Sequence, residues 1–273
     1  MKLITPFTYN EVKAVTCGYS PFGKAALTVN VYFINGLLID TGQSRMRQAI
    51  INFVKTLPVQ QIVVTHHHED HTGNLKPIKA LFDVPVYGSA KCSELMKKPP
   101  TISLPQQIYW GNRPAFKITP LTSNTLPTSN YTFEIIDIPG HAADMIALFE
   151  PNKGWLFSGD LYINTTIKYM LDNESIAQQI KSIKKVLQLD FDTLFCAHNF
   201  KAKNAKQKLK DKLQFLERFY AEVMHWHLKG YPPKIILQKM KLIEKNSIKI
   251  ISNGKLSQLN MIEAVIRDKE KHN

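Results

Sequence analysis

The string Thr65-His66-His67-His68-Glu69-Asp70-His71 concentrates metal-ligand side chains in one short stretch. Imidazole nitrogens and carboxylate oxygens bind a divalent ion when several converge within about 2.0–2.2 Å of it. On a turn after a strand, the i, i+2 spacing aims His66 and His68 to one side. Asp70 and His71 can then turn toward an adjacent point as a helix begins. One loop thus offers four ligands, too many for a single ion that keeps an open position, so two ions are implied. His141, Asp160 and His198 each follow a strand-like run. His141 can complete a three-histidine set with His66 and His68, while His198 joins Asp70 and His71. Asp160 is then the natural bridging carboxylate between cations about 3.5–4 Å apart. A lone His-rich loop reads equally well as a solvated polar turn. That reading leaves three later ligands unexplained in a chain with only nine histidines.

The elements that must position these residues are legible as alternating strand and helix patterns. Val29–Ile34, Asn35-Gly36 and Leu37–Asp40 read as a β-hairpin, because Asn-Gly favours a type I′ turn. A helix is expected from Ser44, with Met46, Ile50, Phe53 and Val54 on its apolar side. Gln61–Thr65 is a short buried strand feeding the His-rich string. A helix at Lys76–Phe82, a strand at Pro85–Tyr87 and a helix near Ser89–Met96 follow. Prolines at 99, 100, 105, 114, 120 and 127 predict an irregular insertion with edge strands, whose Tyr109-Trp110 pair is placed to wall a pocket or anchor the loop. Strands are expected at Thr132–Ile138, Met145–Phe149, Trp155–Phe157 and Thr193–Cys196, and a helix through Ile176, Ile180, Ile183 and Leu187. A long Lys-rich helix spans about 202–228, and a smaller helical module fills the rest. Four strands therefore end in metal-ligand residues, the usual place for a site in layered α/β folds.

Composition narrows the function classes. The 273 residues are 44% apolar and 21% charged, enough to build a substantial core, and no apolar run is long enough to span a bilayer. No membrane role is expected. The start lacks a secretory apolar stretch, and Cys17, Cys92 and Cys196 are too few for a disulfide framework, so a cytoplasmic setting is expected. The net charge of +13 is uneven: residues 199–273 carry 17 Lys/Arg against 7 Asp/Glu. Such a basic region suits nucleic acid or a solvated helix face. His225-Trp226-His227 lies on a helix, where i, i+2 residues do not share a face, and is expected to be a packed helix end.

With these motifs in place, the chain resembles the metallo-β-lactamase fold superfamily, whose H-x-H-x-D-H signature stands here as His66-His67-His68-Glu69-Asp70-His71. Leu38-Ile39-Asp40-Thr41-Gly42, Pro139-Gly140-His141-Ala142-Ala143-Asp144, Phe157-Ser158-Gly159-Asp160 and the late His198 carry the same likeness, over roughly residues 10–200. The resemblance implies an α/β fold, a four-layer αβ/βα sandwich with a C-terminal helical extension. It divides the chain into a catalytic domain, 1–200, and a basic helical extension, 201–273. It implies that His66, His68 and His141 hold one metal and Asp70, His71 and His198 the other, with Asp160 between them. Asp40 looks like the acid that orients a ligand, and His67 and Glu69 occupy variable positions outside the ligand set.

Family differences sharpen the expectation. Class B β-lactamases lack the bridging Asp and usually place a Cys in the second metal site, whereas this chain has Asp160. The flavodiiron branch carries Glu where His68 stands. The glyoxalase II-like branch is favoured: a hydrolase with two Zn²⁺ per chain, iron or manganese being alternatives. A metal-bridging hydroxide would attack a small acyl substrate, a thioester or lactone, with Asp70 both binding metal and orienting the hydroxide. Two rivals remain: a phosphodiesterase or ribonuclease using the basic C-terminal region, and a mononuclear-iron oxidoreductase similar to the persulfide dioxygenases. The stretch around His198 lacks the Gly-rich texture of glyoxalase-type thioesterases, and after Asp160 only Lys168 stands out as a partner for a carboxylate or phosphate. Cys196 reads as a buried apolar residue. Neither the substrate nor the oligomeric state is encoded in a readable motif.

Overall fold

The computed structural model describes residues 1–21, 23–25, 27–244, 252 and 254–270. Two sheets form its centre. The first has seven strands in sequence order: β1 (Lys2–Tyr9), β2 (Val12–Tyr19), β3 (Thr28–Ile34), β4 (Leu37–Ile39), β5 (Gln61–Val63), β6 (Val86–Gly88) and β7 (Thr119–Pro120). Pairing is antiparallel from β1 to β4 and parallel from β4 to β7. The second sheet contains β8 (Thr125–Pro127), β9 (Thr132–Asp137), β10 (Ile146–Glu150), β11 (Trp155–Phe157) and, beyond a short β12 (Met170–Leu171), β13 (Thr193–Phe195). Its order is β13-β11-β10-β9-β8, with β13 parallel to β11. β12 pairs with β14 (Leu256–Ser257).

The two sheets meet through side chains that alternate along each strand. Tyr32, Ile34, Leu37, Ile39 and Val63 of the first sheet pack on Phe133, Leu148, Phe157 and Phe195 of the second. The Phe157 and Phe195 rings stack 4.4 Å apart at 10°. Intervening residues such as Val31, Phe33, Leu38 and Ile62 point outward and are covered by α1 (Arg47–Val54) and α3 (Leu75–Phe82). On the opposite outer face lie α6 (Ile176–Val186), α7 (Ala205–His227), α8 (Pro233–Lys239) and α9 (Gln258–Glu270). Helices on both outer faces explain why β3, β10, β11 and β13 are almost wholly apolar rather than alternating. The resulting four-layer α/β sandwich is the fold implied by the motifs. One apolar cluster runs from Ile136 to Val265, so it crosses residue 200 without a break.

Local chemistry accounts for the elements. Asn35 and Gly36 take φ of 47° and 81°, and Ile34 faces Leu37 across the tight turn, as the Asn-Gly pair requires. Ser44 opens a 3₁₀ turn, Ser44–Met46, that runs into α1. The β1–β2 hairpin, the short β12–β14 pair and a helix within the proline-rich insertion were not anticipated. The β1–β2 hairpin turns at Asn10, φ 51°, but β1 is mostly exposed and so shows no apolar alternation to read. Within the proline-rich insertion, α5 (Leu104–Tyr109) forms because Pro105 sits in the first turn, where its missing N–H costs nothing. Ser103 and Gln106 cap it reciprocally. The predicted short helix appears as α4 (Ala90–Lys97), and the edge strands as β7 and β8. The smaller helical module is seen as α8 and α9; the residues between them that fall at 245–251 lie outside the described residues.

Because Phe157 is fully buried between the sheets, Phe157→Ala is expected to cost about 3–5 kcal/mol of stability. Urea titration of the two proteins checks this.

Candidate metal centre

Five strand ends converge at one edge of the sandwich. β4 delivers Asp40, β5 the His-rich string, β9 His141, β11 Asp160 and β13 His198. After β5 the chain stays extended through His68, φ −62° and ψ 154°, then turns into the one-turn helix α2 (Glu69–Thr72). Extended backbone puts His66 and His68 on one side, their rings 4.5 Å apart. It puts His67 on the other, where Asp144 accepts from its backbone N–H at 2.8 Å and meets its Nδ1 at 2.8 Å.

The seven sequence-predicted residues come together in two groups. His66, His68 and His141 form one, and Asp70, His71, Asp160 and His198 the other; within each group one potential ligand atom per residue lies within 4.8 Å of all the rest. Asp160 touches both. Its Oδ2 is 3.3 Å from His141 Nε2 and 3.1 Å from His198 Nε2, and its Oδ1 is 3.3 Å from His71 Nε2. Asp70 Oδ2 is 3.2 Å from His198 Nε2 and 3.7 Å from His71 Nε2.

Three of the five imidazoles are aimed from behind. Asp40 Oδ2 meets His71 Nδ1 at 2.8 Å, and the same carboxylate accepts from the Thr65 N–H and hydroxyl at 2.8 and 2.9 Å. Thr41 N–H and Oγ1 both donate to the His71 carbonyl. Glu174 meets His141 Nδ1 at 3.1 Å, and the Thr28 carbonyl accepts from His198 Nδ1 at 2.5 Å. These contacts leave the Nε2 atoms of His71, His141 and His198 facing the cluster, the arrangement by which metal-binding histidines are oriented. The Asp40 backbone sits in the left-handed region, φ 61°, which Asp tolerates better than most residues. At Gly42, φ 66°, a Cβ would lie 2.5 Å from Ile50 Cδ1, so only glycine lets this turn sit against α1.

The electrostatics divide the five histidines into two sets. Burial and the neighbouring imidazoles of His71 and His68 push His66 well below the usual range; burial and His141 do the same to His68. Both are neutral, with lone pairs available. His71, His141 and His198 go the other way. Burial opposes their charge, but Asp40 and Asp160 raise His71, and Asp160 and Asp70 raise His198 well above normal. Glu174 and Asp160 outweigh burial to lift His141 to about 10. Burial would raise Asp160, yet His198 and His71 hold it well below the carboxylate range. Among the described residues, His66 Nε2, His71 Nε2 and Asp160 Oδ1 are buried without an aligned hydrogen-bond partner. Three such atoms in one spot are costly unless a cation compensates them. The donor set of five imidazoles and two carboxylates fits borderline divalent ions.

Several residues escaped the sequence reading. Glu174 lies 33 positions from the histidine it supports, and no local pattern marks it. Glu69 points out of the cluster to a buried ion pair with Arg113 at 2.9 Å and accepts from Gln106 at 3.1 Å, which pins the proline-rich insertion to the motif. Trp110 ends up 6.0 Å from the His198 ring, so it does stand beside the site. Cys196 is wholly buried, its sulfur accepting from the Ile163 N–H at 3.4 Å. Trp226 packs against Tyr231 at the end of α7, 5.8 Å between rings, and His225-Trp226-His227 is indeed a helix end.

Comparison with known proteins shows the family and the fold. The model of the metallo-beta-lactamase superfamily matches residues 25–198, and the chain belongs to that superfamily. Among curated relatives, the hydroxyacylglutathione hydrolase of Hamiltonella defensa is 30% identical over 172 residues, 62% of this chain and 60% of the relative. The hydroxyacylglutathione hydrolase of Nitrosomonas eutropha is 31% identical over 171 residues, 62% and 59% of the two chains. The aligned part thus spans about 60% of those relatives' length. A metallo-beta-lactamase from Pontibacter korlensis shares the fold at a TM-score of 0.64 and 20% identity, covering 80% of this chain and 99% of that one. A flavo di-iron protein from Thermotoga maritima does so at 0.59 and 16%, covering 82% and 62%. No helix among the described residues is long and apolar enough to cross a membrane.

Two predictions follow from the supporting contacts. Asp40→Ala removes the acceptor that orients His71 and should weaken metal binding about 10–100-fold, measured by competition with a chromophoric chelator. His71, His141 and His198 hold protons at neutral pH in the metal-free protein. Metal must displace those protons, so affinity should rise with pH from 6 to 9. Calorimetry at pH 7 in buffers of different ionisation heat should register proton release.

Proposed function

We propose that this protein is a dinuclear zinc hydrolase of a small acyl substrate, a thioester or lactone. The observation that carries the reading is Asp160, whose two oxygens lie within 3.3 Å of histidines from both ligand groups. His66, His68 and His141 would hold one ion, and Asp70, His71 and His198 the other, with Asp160 shared. When bound, such ions supply a Lewis acid for the substrate oxygen and lower the pKa of a coordinated water toward 7. The chain's own residues do the rest. Asp70, held as a carboxylate beside His198, is placed to orient the attacking water through an unused lone pair. Asp40, Glu174 and the Thr28 carbonyl keep three imidazoles aligned, which removes reorganisation from the reaction.

An open recess of about 270 Å³, lined by Phe7, Thr16, Thr28, Asn30, His198, Asn199 and Phe200, lies on the Thr28 side of His198. Trp110 borders the same imidazole. The relatives named hydroxyacylglutathione hydrolases take, by that name, an acyl thioester, which supports the same bond class here. All seven ligands precede residue 200, so residues 1–200 are read as the catalytic part and 201–273 as a basic extension packed on it.

Elemental analysis of the purified protein, run with a panel of thioesters, lactones, phosphodiesters and RNA, is the test. About two zinc ions per chain and turnover of acyl substrates are expected. Asp160→Ala should lose at least one ion and reduce turnover by more than the roughly 10–100-fold that an outer partner costs. Full zinc content and full activity in that variant would refute the shared-carboxylate site. Cleavage of RNA alone would replace acyl with phosphoryl chemistry, and one iron per chain would replace hydrolysis with oxidation.

A further inference from the structure

Helix α7 buries Ala205, Leu209, Lys212, Leu216, Phe219 and Val223, a regular 4-3-4-3-4 stripe facing the core. Five of the six are apolar. Lys212 is not, yet it is only 1% exposed. A lysine in such a position is disfavoured, since burial desolvates its charge. Burial accordingly pulls its ammonium down to about 8, with the nearby charges of Glu174 and Asp160 working the other way. Its hydrogen bond goes to one atom, the Leu161 carbonyl, at 2.6 Å. Leu161 is the residue directly after Asp160.

The loop around Asp160 is held at every step. The Gly159 carbonyl accepts from the Ala197 N–H at 2.9 Å, and the Leu161 N–H donates to the Ser158 carbonyl at 3.1 Å. Ile163 takes φ of 41°, a strained backbone for a β-branched residue. Its N–H donates to Cys196 Sγ at 3.4 Å, and its carbonyl accepts from Asn199 Nδ2 at 2.8 Å. Strain of this kind persists only where surrounding contacts overdetermine the conformation. The ties at Gly159 and Ile163 come from residues 196–199, which flank His198; the tie at Leu161 comes from the helix outside the sheet. Lys212 therefore adds a hydrogen bond from the outer layer to the Asp160 loop, beside the apolar packing of Leu161 and Tyr162.

We propose that Lys212 is a positioning residue: its buried ammonium, through the Leu161 carbonyl, holds the Asp160 loop so that both carboxylate oxygens face the two histidine groups. The proposal rests on the metal-centre reading above. It assigns the sole lysine of the α7 core stripe to metal affinity, whereas a structural role would assign it to helix packing. The two roles predict different readouts. Replacing the buried ammonium by an apolar side chain of similar length removes its desolvation cost and leaves the Leu161 carbonyl without its donor, two opposed effects that leave the fold's stability little changed. Loss of an outer contact that orients a ligand weakens metal binding.

The test compares wild type, Lys212→Met and, as a packing control, Leu209→Ala on the same stripe. Each protein is stripped of metal, titrated with Zn²⁺ against a chromophoric chelator, and unfolded thermally in the metal-free form. Lys212→Met should bind Zn²⁺ about 10–100-fold more weakly while its metal-free melting temperature stays near that of wild type. Leu209→Ala should melt lower and keep its Zn²⁺ affinity. If Lys212→Met binds Zn²⁺ as wild type does, or if it simply melts lower as Leu209→Ala does, the positioning role is overturned and the metal centre stands. A wild-type protein that takes up no Zn²⁺ would overturn the metal-centre reading and this one with it. Should Lys212→Met not fold, Lys212→Leu, which likewise offers the Leu161 carbonyl no donor, takes its place with the same expected outcomes.

Discussion

Burying a carboxylate among imidazoles at the mouth of an apolar sandwich is the constraint on which the rest of this structure depends. Asp160 Oδ1, His66 Nε2 and His71 Nε2 are all buried and lack aligned partners. Removed from water, each such atom costs free energy on the order of 1–3 kcal/mol. Protons on His71, His141 and His198 relieve part of this in the metal-free protein, because the carboxylates raise all three. They cannot relieve it for His66 and His68, which burial keeps neutral. A divalent cation satisfies both halves at once. It neutralises the carboxylates and occupies the neutral lone pairs, which is why the same residues look strained as protein and fitting as a metal site.

The fold serves that convergence by spending strand ends on it. Parallel neighbours β4, β5 and β6 point their carboxyl ends the same way, as do β11 and β13 in the facing sheet. Ligands emerging from these ends meet without any long loop having to be ordered. The stacked pair Phe157 and Phe195 sits directly below, one residue before Ser158 and Cys196, so the packing of the sheets sets the height at which Asp160 and His198 leave them. Stability and site geometry are thus coupled through the same side chains.

How much of this was legible in the sequence depended on whether the signal was local. The seven cluster residues were readable because four lie in one string and the other three each follow a strand, and the layered fold followed from the family resemblance that those motifs carry. The β1–β2 hairpin was not, since an exposed edge strand such as β1 carries no burial pattern. Helix α5 was hidden because Pro105 argues against a helix interior while suiting a first turn. Glu174, Arg113 and the role of Asp144 were invisible for another reason. Each is defined by a partner 33 to 77 positions away, and a lone acid or arginine looks the same whether solvated or paired.

The His-rich string also does two jobs that its composition does not separate. His66, His68, Asp70 and His71 face the cluster, while His67 and Glu69 face away. Those two are nonetheless buried and paired, to Asp144 and Arg113, and both pairs lie on segments that border the site. Glu69 ties down the insertion that carries Trp110 against His198; His67 ties the string to Asp144, two residues before β10. Alternation along the extended His66–His68 and the turn of α2 beyond it together divide one string between binding and support. The same division recurs on α7, where one lysine of a basic helix turns inward to the Asp160 loop while Lys210 and Arg218 stay in solvent. Net charge describes the second group only. The first is found by asking which charged side chain occupies a position that periodicity reserves for an apolar one.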